Sequence, residues 1–180
     1  EIPDLIVIDL NASHAQRMEL CRRFRSMSSS PILLFLPYTN EIEILEAYQI
    51  GVDECVVKPI SPAIFLAKIL AWSRRSWTEP MTPRQTGQLR LDPSHRSAIG
   101  SNSQEIKLTN LEFRLLHLLM SRPGFVFPAE EIIQTLWGAE GDVVLLKNVV
   151  YRLRKKLGEE ETGDTYLIKT WPGGYSFVED

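Results

Sequence analysis

The sequence predicts two units of different class: an α/β unit on a parallel sheet over residues 1–75, and an α+β unit over 88–180, joined by a linker at 76–87. Three observations lead there. Short apolar runs without alternation (Leu5 to Ile8, Ile32 to Leu36, Cys55 to Val57) are separated by helical patterns, as buried parallel strands with crossover helices require. The stretch from Ser76 to Gly87 holds Pro80, Pro83 and Gly87 and has no periodicity. Beyond it short strands come first, then helices, and the chain closes with a basic amphipathic helix and a tight hairpin.

In order, the first strand ends at Asp9-Leu10 and a helix pattern runs from about Ala15 to Arg25. Ser26 to Ser30 form a turn before the second strand. Glu41 to Gln49 is helical, with Gly51 as its stop, and Ser61 to Ser73 is a helix with Ser61 as N-cap and Pro62 at its first position. In the second unit Leu89 to Leu91 and Glu105 to Leu108 are short strands around a polar turn. Thr109 and Glu112 make a capping box for a helix with Leu111, Leu115, Leu118 and Leu119 inward, ended by Pro123-Gly124. Ala129 to Trp137 is a second helix with Glu130 and Glu131 at its positive end. In the third, Leu146, Val149, Val150, Leu153 and Leu157 fall in one arc and polar or cationic residues fill the rest.

The 180 residues are 44% hydrophobic and 24% charged, ordinary for a globular chain, and the net charge of −3 excludes a protein that coats polyanions non-specifically. Any anion-binding site is therefore local. Lys147, Arg152, Arg154, Lys155 and Lys156 face only Asp142 over that helix, and Glu159, Glu160, Glu161 and Asp164 then reverse the sign. Cys21 and Cys55 lack CxxC spacing and His14, His95 and His117 lack ligand spacing, so no disulfide framework or zinc site is predicted. No run approaches the roughly 20 apolar residues of a membrane span. These features predict a cytoplasmic protein without a membrane partner. Glu1-Ile2-Pro3 at the start reads as the start of a fragment.

The segments LTNLEFRLLHLLMSRPG, EEIIQTLWG, NVVYRLRKKL and YLIKTWPGGYSF resemble the winged-helix DNA-binding domain of OmpR/PhoB-type response regulators, over about Leu89 to Phe177. The resemblance implies a winged helix-turn-helix whose third helix enters the major groove while the hairpin wing reaches the adjacent minor groove. It places Lys147, Asn148 and Tyr151 at base edges and Arg152, Arg154, Lys155 and Lys156 on phosphates. Arg154 has a second reading, an ion pair with the acidic loop. Trp171 either packs on sugar and phosphate or closes the core beside Tyr175. The family often has Arg-Thr where this chain has Val144-Leu145, a change that favours a thymine methyl. Pro172 stands in a wing one residue shorter than usual.

PDLIVIDL and, about fifty residues later, GVDECVVKPIS resemble the receiver domain of the same regulators, a flavodoxin-like doubly wound fold that here lacks its first strands and helices. The resemblance makes Asp9 the phosphoacceptor, Lys58 its partner and Asn11 the carbonyl ligand that helps Asp9 hold Mg²⁺. The acidic pair that completes such a site has no counterpart, so Mg²⁺ is expected only in an intact receiver. Leu5 to Asp9 would then form an open apolar edge. Leu36 and Cys55 stand where the family has a responsive hydroxyl and aromatic, with Thr39 three residues out of register. Asp53 and Lys68 match a salt-bridge pair of the dimer interface, and Glu46 sits where that face tends to be basic. The implied protein is not an enzyme. It is a phosphorelay transcription regulator with promoter DNA, a sensor histidine kinase, RNA polymerase and a second copy of itself as partners. The alternative is a pseudo-receiver regulator controlled by a partner or by redox state.

Overall fold

In the N-terminal unit three apolar runs form a parallel sheet, β1 (Ile6–Asp9), β2 (Ile32–Leu36) and β3 (Glu54–Val57), ordered β1-β2-β3. The structure is a computed structural model that describes residues 3–76, 81–100, 103–138, 141–158 and 167–178. All five residues of β2 are buried, because it is the central strand and both its faces are covered. Its residues at period two diverge. Ile32, Leu34 and Leu36 pack with Ile8, Met18, Cys21, Ala47 and Val52, while the Phe35 ring lies 5.7 Å from that of Phe65 on the opposite side.

Helix α1 (His14–Met27) opens on a capping box between Ser13 and Gln16, and α2 (Glu41–Ile50) on Asn40, whose side chain accepts from the Glu43 N–H. Gly51 ends α2 at φ 116°, where a side chain would be strained and would also meet the Arg25 guanidinium. The two helices are locked by a buried pair, Arg17 Nε to Glu43 Oε1 at 2.6 Å, and by Glu46, which accepts from Arg22 at 2.7 Å and meets His14 at 2.6 Å. Helix α3 (Pro62–Ser76) packs less deeply, leaving Ile64, Leu66 and Leu70 about half exposed. Among the described strands β1 pairs only with β2, and Val7 is 40% exposed.

The C-terminal unit begins with a four-stranded antiparallel sheet, β4 (Arg84–Thr86), β5 (Leu89–Asp92), β6 (Ser97–Ile99) and β7 (Glu105–Lys107). Two expectations are corrected here. Arg84 to Thr86, read as linker, pairs with β5 through a turn at Gly87 (φ 56°), so the unit starts inside the stretch assigned to the linker. Ser97 to Ile99, read as polar turn, is a strand whose Ser97 and Ala98 are buried. Strands of three residues with small or polar side chains carry no alternation to find.

Helix α4 (Asn110–Leu119) has the expected capping box, with the Glu112 N–H donating to Thr109 Oγ1 and Thr109 N–H to Glu112 Oε2 at 2.8 Å. It is buried nearly all round. Leu116 is fully buried and Leu118 only half, the reverse of the expected inward set at that turn. The short β8 (Phe127–Pro128) leads into α5 (Ala129–Leu136), then α6 (Val143–Leu157), and β9 (Ile168–Trp171) with β10 (Gly174–Phe177) closes the hairpin. The sheet order β8-β10-β9 brings Gly174 against Phe127, where a Cβ would lie 2.2 Å from the Phe127 carbonyl oxygen; only glycine fits. Pro172 and Gly173 (φ 83°) supply the residues of a type II turn between the paired Trp171 and Gly174.

Candidate nucleic-acid interface

Helix α6 is capped by Asp142, whose Oδ1 accepts from the Leu145 N–H at 2.8 Å, and it ends at Gly158 with φ 78°. Leu145, Leu146, Val149, Val150, Arg152 and Leu153 are its buried residues. At about 100° per residue, Val143, Val144, Lys147, Tyr151 and Lys155 fall within an arc of about 120° on the other side. All five are exposed. This face covers about a third of the helix circumference over about three turns, and it is convex and cationic, with the opposite apolar side fixed to a core.

The four basic residues expected on phosphates separate into different roles. Arg152 is 8% exposed, and its Nε donates to Glu112 Oε1 at 3.2 Å. It lies on the buried side of the helix, so the phosphate contact expected of it is overturned. Lys156 donates to Glu112 Oε2 at 2.7 Å and to the Lys107 carbonyl at 3.1 Å. Arg154 donates to the Ile168 carbonyl from Nη2 at 2.6 Å and Nε at 3.1 Å, and to Thr170 Oγ1 at 2.9 Å. It therefore ties α6 to the first wing strand; the acidic loop of its second reading lies outside the described residues. Lys155 remains on the exposed arc with Lys147.

Glu112 is the residue that sequence reasoning left as a helix cap. Its carboxylate is fully buried and joins the cap of α4 to Arg152 and Lys156 of α6. Burial by itself would raise its pKa, but Lys156 and then Arg152 more than offset that and hold the carboxyl below its usual range. A signal was available: Leu145, Val149, Arg152 and Lys156 follow an i, i+4, i+7, i+11 row, so the two bases inherit the direction of two buried apolar residues.

Asn148 is half-buried, with its amide nitrogen shielded and without a hydrogen-bond partner among the described residues. Tyr151 is 52% exposed. Trp171 is 45% exposed, and its indole N–H donates to Ser176 Oγ at 2.8 Å. Trp171 thus does not close the core, where Tyr175 and Phe177 of the opposite strand are buried instead. Its ring is pinned on the outside of the wing.

In the N-terminal unit Lys58 Nζ donates to Asp9 Oδ1 at 2.5 Å, both side chains are about half exposed, and the Lys58–Pro59 peptide is cis. They border a cavity of about 700 Å³ walled by Val7, Phe35, Pro37, Ile60 and Phe65. Asn11 is exposed two residues beyond Asp9. A near-octahedral Mg²⁺ shell needs more oxygen ligands than Asp9 and Asn11 supply, and no group of three His, Cys, Asp or Glu among the described residues is placed to hold a metal. These residues do not complete a Mg²⁺ site. Leu36 is fully buried and Cys55 half-buried. Burial pushes the Cys21 thiol up to about 11 and the Cys55 thiol up to about 12.

The expected dimer-interface pair is also corrected. Asp53 is 1% exposed, and its Oδ2 accepts from Arg25 Nη2 and from the Ile32 N–H, both at 2.8 Å. Lys68 donates instead to Glu54 Oε1 at 2.6 Å within the same unit. Adjacent residues entering a strand point to opposite sides, so moving the partner from Asp53 to Glu54 turns an intermolecular pair into an internal one.

A parallel α/β unit followed by a three-helix unit with a hairpin wing and an exposed cationic third helix defines a transcription regulator with a winged-helix DNA-binding domain. The comparisons agree. Residues 103–177 match the family described as "Transcriptional regulatory protein, C terminal", and this region is an OmpR/PhoB-type DNA-binding domain. A cysteine-to-aspartate mutant of RitR is 26% identical over 98% of this chain and 79% of its own, with a TM-score of 0.73. The corresponding cysteine-to-serine mutant is 25% identical over 98% and 80%, with a TM-score of 0.72. The DNA-binding domain of CpxR from E. coli is 29% identical over 54% of this chain and 97% of its own, with a TM-score of 0.47. The N-terminal unit is accordingly an α/β receiver-like region on a parallel sheet, followed in sequence by the winged-helix domain.

Proposed function

We propose that this regulator binds double-stranded promoter DNA with α6 in the major groove and the β9–β10 wing along the adjacent backbone. The observation that supports it is the exposed arc of α6, where Lys147, Tyr151 and Lys155 stand clear of the core that the opposite face fills. Lys147 and Tyr151 read base edges, with Asn148 at the margin. Lys155 meets phosphate, and Trp171 packs on the sugar-phosphate backbone beside the wing. The receiver-like unit takes its input at Asp9, beside Lys58, from a sensor histidine kinase and governs pairing with a second copy on repeated half-sites. RNA polymerase is the downstream partner. In this reading the protein acts in the cytoplasm and turns over no substrate; no described helix is long and apolar enough to cross a membrane.

A second reading keeps the DNA binding and replaces phosphorylation by a bound partner. It is supported by Leu36, fully buried where a responsive hydroxyl is expected, and by Cys55 where a responsive aromatic is expected. The redox form of that reading would act through Cys21 and Cys55, whose thiols burial pushes up to about 11 and about 12. The test of the DNA-binding reading is selection from a random duplex library with the full chain, followed by Lys147→Ala on the enriched site. Loss of base preference at one or two positions is the expected result, and uniform weakening of every sequence would oppose it. A phosphoryl donor that labels the intact protein at Asp9 and drives self-association would exclude the partner-controlled reading.

A further inference from the structure

The exposed arc of α6 begins with two valines, Val143 at 48% and Val144 at 47% exposure. They precede Lys147, Tyr151 and Lys155 on a face that is otherwise polar or cationic. Two apolar side chains held in water at the start of such a face gain only from a partner that offers an apolar group amid its polar ones. Among base edges in the major groove, that group is the C5 methyl of thymine. Asn148, the side chain able to pair with adenine, is half-buried with its amide nitrogen shielded, and the exposed helical residues of the first turn, Val143 and Val144, offer only methyl groups.

Val144 and Tyr151 are seven residues apart, so they point within about 20° of each other. They are separated by about 10 Å along the axis. Val143 is turned about 100° away, toward the Lys147 side of the arc. Resting on the DNA-binding reading above, we propose that Val144 is a specificity-determining residue that contacts a thymine methyl on the same face of α6 as the base met by Tyr151. The preference it imposes is for an apolar group, not for a donor or acceptor, so it discriminates thymine from uracil as well as from cytosine.

The experiment uses the full chain and its library-selected duplex, with each thymine replaced singly by deoxyuridine. One replacement should weaken the wild-type protein about fourfold, the worth of one buried methylene-sized group. Val144→Ala should weaken binding to the thymine duplex by a similar factor and lose nothing more on the deoxyuridine duplex. Alanine at an exposed helical position leaves the fold intact. Val143→Ala should keep the full deoxyuridine effect. A deoxyuridine loss that persists undiminished in Val144→Ala overturns the proposal, as does a site where no replacement changes affinity. If no sequence is enriched over competitor DNA, the DNA-binding reading fails and this proposal with it.

Discussion

Glu112→Gln isolates what the buried carboxylate does for the recognition helix. Glutamine keeps the size and the capping-box geometry, since Gln also serves at that position. It removes only the negative charge that faces Arg152 and Lys156. Lys156, with about a third of its side chain exposed, can turn to water. Arg152, at 8% exposure, cannot. Removing one partner of a buried pair costs about 3–5 kcal/mol, and the retained amide oxygen places this change near the lower end, about 3 kcal/mol. At a urea dependence of about 1–3 kcal/mol/M, that moves the midpoint down by about 1–3 M.

The assay is urea unfolding of the full chain followed by amide exchange in α4 and α6, which assigns the loss to the C-terminal unit. A second change, Arg152→Met on top of Glu112→Gln, should recover most of the loss because no buried charge is left alone. A cost below about 1 kcal/mol, or no recovery in the double variant, would refute the reasoning. The pH dependence has a defined sign. The folded carboxyl is depressed, so its contribution is fully present above the unfolded pKa of about 4.3 and disappears as pH falls through the lower folded value. The acid limb of the stability curve should therefore be shallower in Glu112→Gln.

Two further outcomes follow from the site geometry. Lys155→Ala should reduce the slope of log affinity against log salt by about one without altering base preference, whereas Arg152→Ala should destabilise the fold and leave the salt slope of the folded fraction unchanged. Thiol titration of the native protein at pH 7 should label the buried Cys21 only on unfolding and the half-buried Cys55 slowly, given their raised pKa values; rapid labelling of either by a thiol reagent would favour the redox reading.

The parallel sheet was legible because β2 has no polar residue in five, a pattern that two covered faces demand. The helix starts were legible at Thr109 and Asn110-Leu111-Glu112, where capping chemistry is local. Charge partners were not. Periodicity gave the direction of Arg152 but not Glu112, forty residues earlier, and so a residue inside the fold was read as one that faces DNA. Asp53 is a similar case: its acid is recognisable, but the Arg25 that holds it comes from α1, 28 residues earlier. Val144 departs from the resemblance in sequence, yet its exposure, on which its role depends, is visible only once α6 starts at Val143 and turns its other face to the core.

The most direct test of the central claim, that the exposed arc of α6 is the surface that meets DNA, is site-specific photocrosslinking. A benzophenone amino acid in place of Tyr151 should crosslink to a bases-labelled duplex of the selected sequence, and the same group in place of Arg90, exposed on β5 in the same unit, should not. Crosslinks from position 90 with none from 151 would contradict the account.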